Sequence, residues 1–72
     1  MPRYHFDLVD KTTSADQGGQ ILSDDDEAME VADTLATQLR LVRPDLIGKG
    51  YMILVTDENG REVYRARIDR MH

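Results

Sequence analysis

Two histidines, His5 and His72, and two serines, Ser14 and Ser23, are the side chains from which nucleophilic chemistry would have to be built, and there is no cysteine. A nucleophile needs a base, and the base needs a group to orient it. His72 is the last residue, and Ser23 stands where a helix needs a cap, so no serine triad can be assembled. His5 alternates onto the same side of a strand as Asp7. A general base is one reading of it. With no partner constellation, a solvated strand residue is the preferred one. Without cysteine there is no thiolate nucleophile, thiolate zinc site or disulfide framework.

Asp24, Asp25, Asp26 and Glu27 offer hard oxygens of the kind that bind Ca²⁺ or Mg²⁺. An EF-hand loop alternates its ligands and needs a turn glycine, and this run is contiguous. Consecutive helical residues also point about 100° apart, so few of the four could converge on one ion. Favourable interaction with the positive end of a helix explains them better. Gly18-Gly19 and Gly48-Lys49-Gly50 lack phosphate-loop spacing and read as turns. No catalytic, cofactor or metal residue is expected, and the chain is read as a non-enzyme.

The remaining chemistry is recognition. Arg61, Arg65, Arg67 and Arg70 cluster near the end of the chain. Met52, Leu54, Val63, Arg65 and Arg67 are expected to share one uncovered sheet face. Mixed aliphatic and arginine surface is what protein interfaces enrich. A nucleic-acid reading would use the same arginine stripe on phosphates. The acidic pI of about 4.7 and the lack of exposed aromatics beside the arginines disfavour it.

The elements that must carry these residues follow from periodicity. Tyr4, Phe6 and Leu8 alternate with His5 and Asp7, which predicts a half-buried strand over about 3–9. Residues 10–19 are rich in Thr, Ser, Asp and Gly and read as a loop, with a short returning strand at 20–22. Ser23 is expected to cap a helix over about 24–43. Ala28, Met29, Val31, Ala32, Leu35, Ala36, Leu39 and Val42 fall on one arc of it, and Leu41 falls outside. Pro44 should end it. Asn59-Gly60 reads as a two-residue hairpin loop between strands at about 51–57 and 61–69. That loop pairs Ile53 with Ala66, Val55 with Tyr64, Leu54 with Arg65, Met52 with Arg67 and Thr56 with Val63. The apolar residues then gather on one side.

The expected architecture is a single α+β domain, 1–72, of two layers. Its order is ββαββ, with a four-stranded antiparallel sheet in the order 2-1-3-4 and the helix on one face. The chain has 72 residues, 40% of them hydrophobic, and a net charge of -5. That length excludes the large catalytic folds and permits one small core. Residues 1–36 carry two basic and nine acidic side chains, and 37–72 carry seven and five. Such a split would suit head-to-tail or partner contacts, but ordinary solvated faces that happen to sort this way are the preferred reading. The longest apolar run, Tyr51 to Val55, is far below the ~20 residues that span a bilayer. No apolar signal core follows Met1. With no cysteine, a reducing cytoplasm is the expected location.

The opening M-P-R-Y-x-F-D, the acidic helix start with Glu27-Ala28, the Leu22-Ser23-Asp24 triplet and the closing D-E-N-G-R resemble a family of short uncharacterised bacterial proteins. That family is commonest in rhizobia-like alphaproteobacteria and is classed as a domain of unknown function. The Gln17-Gly18-Gly19-Gln20 stretch departs from its usual acidic-Gly pattern. No activity, cofactor or catalytic residue is implied by the resemblance. More distantly, a hairpin followed by an acidic helix is similar to antitoxin domains of the HicB type, in fold only. The expected function is a non-enzymatic protein-interaction domain, self-associating as a homodimer or binding another protein. The alternative is a nucleic-acid-linked, antitoxin-like regulator using Arg65, Arg67 and Arg70.

Overall fold

The computed structural model describes residues 2–68. Strand β1 is Arg3–Val9, β2 is Ser14–Ile21, helix α1 is Asp25–Val42, β3 is Met52–Thr56 and β4 is Glu62–Arg67, with a 3₁₀ turn at Pro44–Leu46. The four strands form one sheet in the order β2-β1-β3-β4, every neighbour antiparallel. The fold is therefore α+β, with α1 covering one sheet face, as the hydrophobic periods require.

The core lies between that face and the helix. Tyr4, Phe6, Ile53, Val55, Ala66 and Ile68 come from the sheet side, and Ala28, Ala32 and Ala36 from the helix. The three alanines recur at i, i+4 and i+8 and are almost fully buried. Their small side chains let the helix axis approach the sheet, and Val31, Leu35 and Leu39 close the flanks of the contact. Tyrosine hydroxyls pin the two layers together at their rims: Tyr4 donates to Asp25 Oδ1 at 2.6 Å and Tyr64 to Asp33 Oδ1 at 2.9 Å.

Four local features differ from the sequence reading. First, β2 runs over eight residues, 14–21, where the loop-rich composition suggested only 20–22. It is an edge strand whose residues are all exposed, so it carries no hydrophobic alternation to betray it. Asp10 closes its turn by accepting from the backbone N–H of Thr12 (2.9 Å) and Thr13 (2.7 Å) and from the Thr13 hydroxyl (2.8 Å). Second, the helix cap is Asp24, not Ser23: Asp24 Oδ1 accepts from Glu27 N–H at 3.0 Å. Ser23 instead donates its N–H and hydroxyl to Glu27 Oε1, at 2.8 and 2.9 Å, a capping box moved one residue along.

Third, Val42, expected on the buried arc, is 70% exposed in the helix's last turn; Leu41 is exposed as expected. Pro44 does end the helix, which stops at Val42. Fourth, the last hairpin has a three-residue loop. Asp57 and Arg61 pair by an Asp57 N–H to Arg61 carbonyl bond at 2.9 Å, and Gly60 takes a φ of 83°, where a side chain would be strained. A bulge follows, so Thr56 faces Glu62 instead of Val63, and beyond it Val55–Tyr64, Leu54–Arg65, Ile53–Ala66 and Met52–Arg67 pair as expected. Asp69 at the end of the expected last strand, and Arg70 and His72, lie outside the described residues.

Candidate functional site

The sheet face turned away from α1 is built in rows, because paired residues on neighbouring antiparallel strands point the same way. One row reads Asp16, Asp7, Leu54, Arg65 across β2, β1, β3 and β4. The next reads Ser14, Val9, Met52, Arg67, and a third reads Gly19, His5, Thr56, Glu62. The face is thus graded: carboxylates on the β2–β1 side, aliphatic side chains in the middle, arginines on β4.

Of the expected surface residues, Met52, Leu54, Arg65 and Arg67 stand in these rows. Val9, Met52, Leu54 and Arg65, with Asp10, Lys11 and Gly50, line a shallow concavity of about 380 Å³. Val63 is the exception. The bulge removes it from the row, and it packs against the core. Met52 and Leu54 are only part-exposed, while both arginines are exposed.

Arg65 is held in place. It makes two charge-assisted bonds to Glu62, Nε to Oε2 at 2.7 Å and Nη2 to Oε1 at 2.9 Å, and its Nη1 rests 3.8 Å from Met52 Sδ. The pair pulls the Glu62 carboxyl below, and pushes the Arg65 guanidinium above, their ordinary pKa ranges. Being exposed, it adds little to stability, but it fixes the guanidinium over the aliphatic patch.

On the opposite side, His5 Nε2 lies 3.1 Å from Asp7 Oδ1 and 3.3 Å from Asp16 Oδ1. Sequence reasoning placed His5 beside Asp7 and missed Asp16, which fell in the expected loop. The missing signal is a register shift in the β1–β2 pairing between His5 and Asp7. Phe6 faces both Gln17 and Gly18, and the extra residue brings Asp16 opposite Asp7.

The acidic helix start has structural employment. Asp24 caps, Asp25 accepts from Tyr4, and Glu27 is held below the usual carboxylate range by the Ser23 backbone N–H and then its hydroxyl. Gly48 and Gly50 both have positive φ in the turn after Leu46, as turn residues do. A second groove, about 470 Å³, runs between β2 and α1 over a floor of Phe6, Val31 and Leu35.

Residues 3–69 match the family model described as Domain of unknown function (DUF6894), and the chain belongs to that family. No curated protein and no solved structure matches the chain significantly. Among the described residues, no helix is long and apolar enough to cross a membrane.

Proposed function

We propose that this domain is a non-enzymatic interaction module that pairs with a second copy of itself through the open face of its sheet. The observation that carries this reading is the grading of that face. A two-fold axis parallel to the strands reverses strand order, so β4 of one copy lies over β2 of the other. Arg65 then meets Asp16 of the second copy, and Val9 meets its Met52, with the reciprocal contacts made at the same time. An axis across the strands would stack carboxylate on carboxylate, which is costly. Stacked sheets sit about 10 Å apart, a gap that arginine side chains bridge.

Burial of Val9, Met52 and Leu54 supplies the apolar centre at roughly 25 cal/mol per Å², and the charged edges supply register. The cysteine-free composition suits a reducing compartment such as a bacterial cytoplasm.

Light scattering of the purified chain at high micromolar concentration tests the reading. A dimer mass is expected, falling to the monomer mass in Leu54→Asp. A strict monomer at that concentration, with a mass indifferent to Leu54→Asp, overturns it.

A further inference from the structure

Asp7 and Asp16 stand directly opposite one another on β1 and β2. Like charges in that position repel across an antiparallel pair. The opposition is built by the bulge. Had the pairing of Tyr4 with Gln20 and His5 with Gly19 run on unbroken, Asp7 would face the neutral Gln17. Gly18 instead takes a φ of 104°, and its N–H donates to Asp16 Oδ1 at 2.6 Å, holding that carboxylate toward β1. A side chain on Gly18 would be strained there, so the bulge and the aim of Asp16 depend on a glycine.

The His5 imidazole completes the cluster. Its Nε2 lies 3.1 Å from Asp7 Oδ1 and 3.3 Å from Asp16 Oδ1, and all three atoms lie within 4.8 Å of one another. A single Nε2–H serves one acceptor well. Two carboxylates at one nitrogen leave negative charge that a monovalent imidazolium offsets only in part. A dication bound to all three answers both deficits.

From this we infer that His5 Nε2 and one carboxylate oxygen each of Asp7 and Asp16 form a binding site for a divalent transition-metal ion. Such ions hold nitrogen and oxygen ligands at about 2.0–2.2 Å, which sets neighbouring donor atoms about 2.8–3.6 Å apart between octahedral and tetrahedral angles. Both histidine–carboxylate separations already fall in that range. The nitrogen donor selects the ion class. Mg²⁺ and Ca²⁺ take oxygen sets, whereas imidazole suits zinc and its neighbours. Three protein donors leave outward positions for water. The way in is open, because the β2 residue beside His5 is Gly19, and the three side chains are 46%, 21% and 67% exposed.

All ligands come from one chain, so the site does not depend on self-pairing. In the proposed pair, Arg65 of the second copy reaches for the Asp16 carboxylate, so binding is measured at a dilution where scattering reports monomer. The probes are Zn²⁺, followed by calorimetry and by the imidazole ¹⁵N resonances of a tag-free chain, and Mg²⁺ as comparator.

One Zn²⁺ per chain is expected, with His5 Nε2 shifted and Mg²⁺ without effect at equal concentration. His5→Ala and Asp16→Asn each weaken it tenfold or more. Asp16→Asn also removes the repulsion, so the metal-free variant melts no lower than the parent and the comparison stays valid. Unchanged zinc affinity in Asp16→Asn, zinc shifts confined to His72, or no saturable binding by the parent chain overturns the inference.

Discussion

The Tyr4 hydroxyl donates to Asp25 Oδ1 at 2.6 Å, tying the first strand to the first turn of the helix across 21 residues of chain. The bond joins two elements far apart in sequence, and Tyr4 itself is 2% exposed. Tyr4→Phe keeps the ring in the core and removes only the bond. The melting temperature should fall by about 10 °C, as for loss of one hydrogen bond to a charged acceptor in a domain this small. Asp25 raises the Tyr4 pKa from 10.0 to about 12 by accepting the hydroxyl's hydrogen bond, burial adding to the effect. The unfolded chain loses that proton near 10. Stability is thus intact below pH 10 and declines as pH rises toward 12. Base titration followed by tyrosine absorbance and by circular dichroism reads both effects. A shallower alkaline limb in Tyr4→Phe is the expected control, since Tyr64 still donates to Asp33.

Acid acts at the other end of β1. Asp10 is held at about 2, first by the Thr12 N–H and then by the Thr13 hydroxyl and N–H. An unfolded aspartate titrates near 3.9. The folded carboxylate therefore contributes fully above pH 4, and that contribution disappears as pH falls toward 2. Chemical denaturation between pH 6 and 2 should show it, with Asp10→Asn less stable at pH 6 and less sensitive below 4. Equal slopes in the two proteins would remove Asp10 as the turn's clasp.

What the sequence disclosed follows from which residues face the core. Tyr4, Phe6, Ile53, Val55, Ala66 and Ile68 alternate because one sheet face is buried, and their alternation yields three strands, their register and the strand order. β2 has no buried residue, so its pairing rests on backbone bonds that leave no mark on side-chain polarity. Asp16 stayed hidden for the same reason: it lies in that strand, and its position opposite Asp7 depends on a bulge. Val63 was misplaced by the opposite error. Asn59-Gly60 suggested a two-residue loop, whereas Glu58, Asn59 and Gly60 form a three-residue loop and a later bulge restores the register. One residue of slip moves a side chain to the other face.

The alanine stripe of α1 sets the spacing between the layers. Ala32 has no exposed surface, and Ala28 and Ala36 flank it one turn away on either side. Ala32→Leu inserts three heavy atoms at a fully buried position in the contact between helix and sheet. Overpacking of this kind costs about 1–3 kcal/mol. Leu41 is 78% exposed on the same helix, and Leu41→Gln should change stability by under about 0.5 kcal/mol. Urea denaturation of the two variants separates them. Similar midpoints would mean that the helix rides further from the sheet than the buried alanines indicate.

Self-pairing through the open face makes a directional prediction about charge. With the two-fold axis parallel to the strands, Asp16 on β2 meets Arg65 on β4 of the second copy, and the contact occurs twice. Asp16→Arg alone sets arginine against arginine at both edges, and Arg65→Asp alone sets acid against acid, so each weakens the dimer. Together they restore opposite charges with the edges exchanged, and the dimer constant should recover most of what either single change lost. With the axis across the strands, β2 would lie over β2. Asp16→Arg would then still stack like on like, and the Arg65→Asp change would give no rescue. Equilibrium sedimentation of the four proteins at low ionic strength, where screening is weakest, distinguishes the two arrangements. Rescue is the outcome expected of the proposed pair, because only a reversed strand order lays the acidic edge of the rows Asp16–Asp7–Leu54–Arg65 and Ser14–Val9–Met52–Arg67 along the basic edge of the second copy.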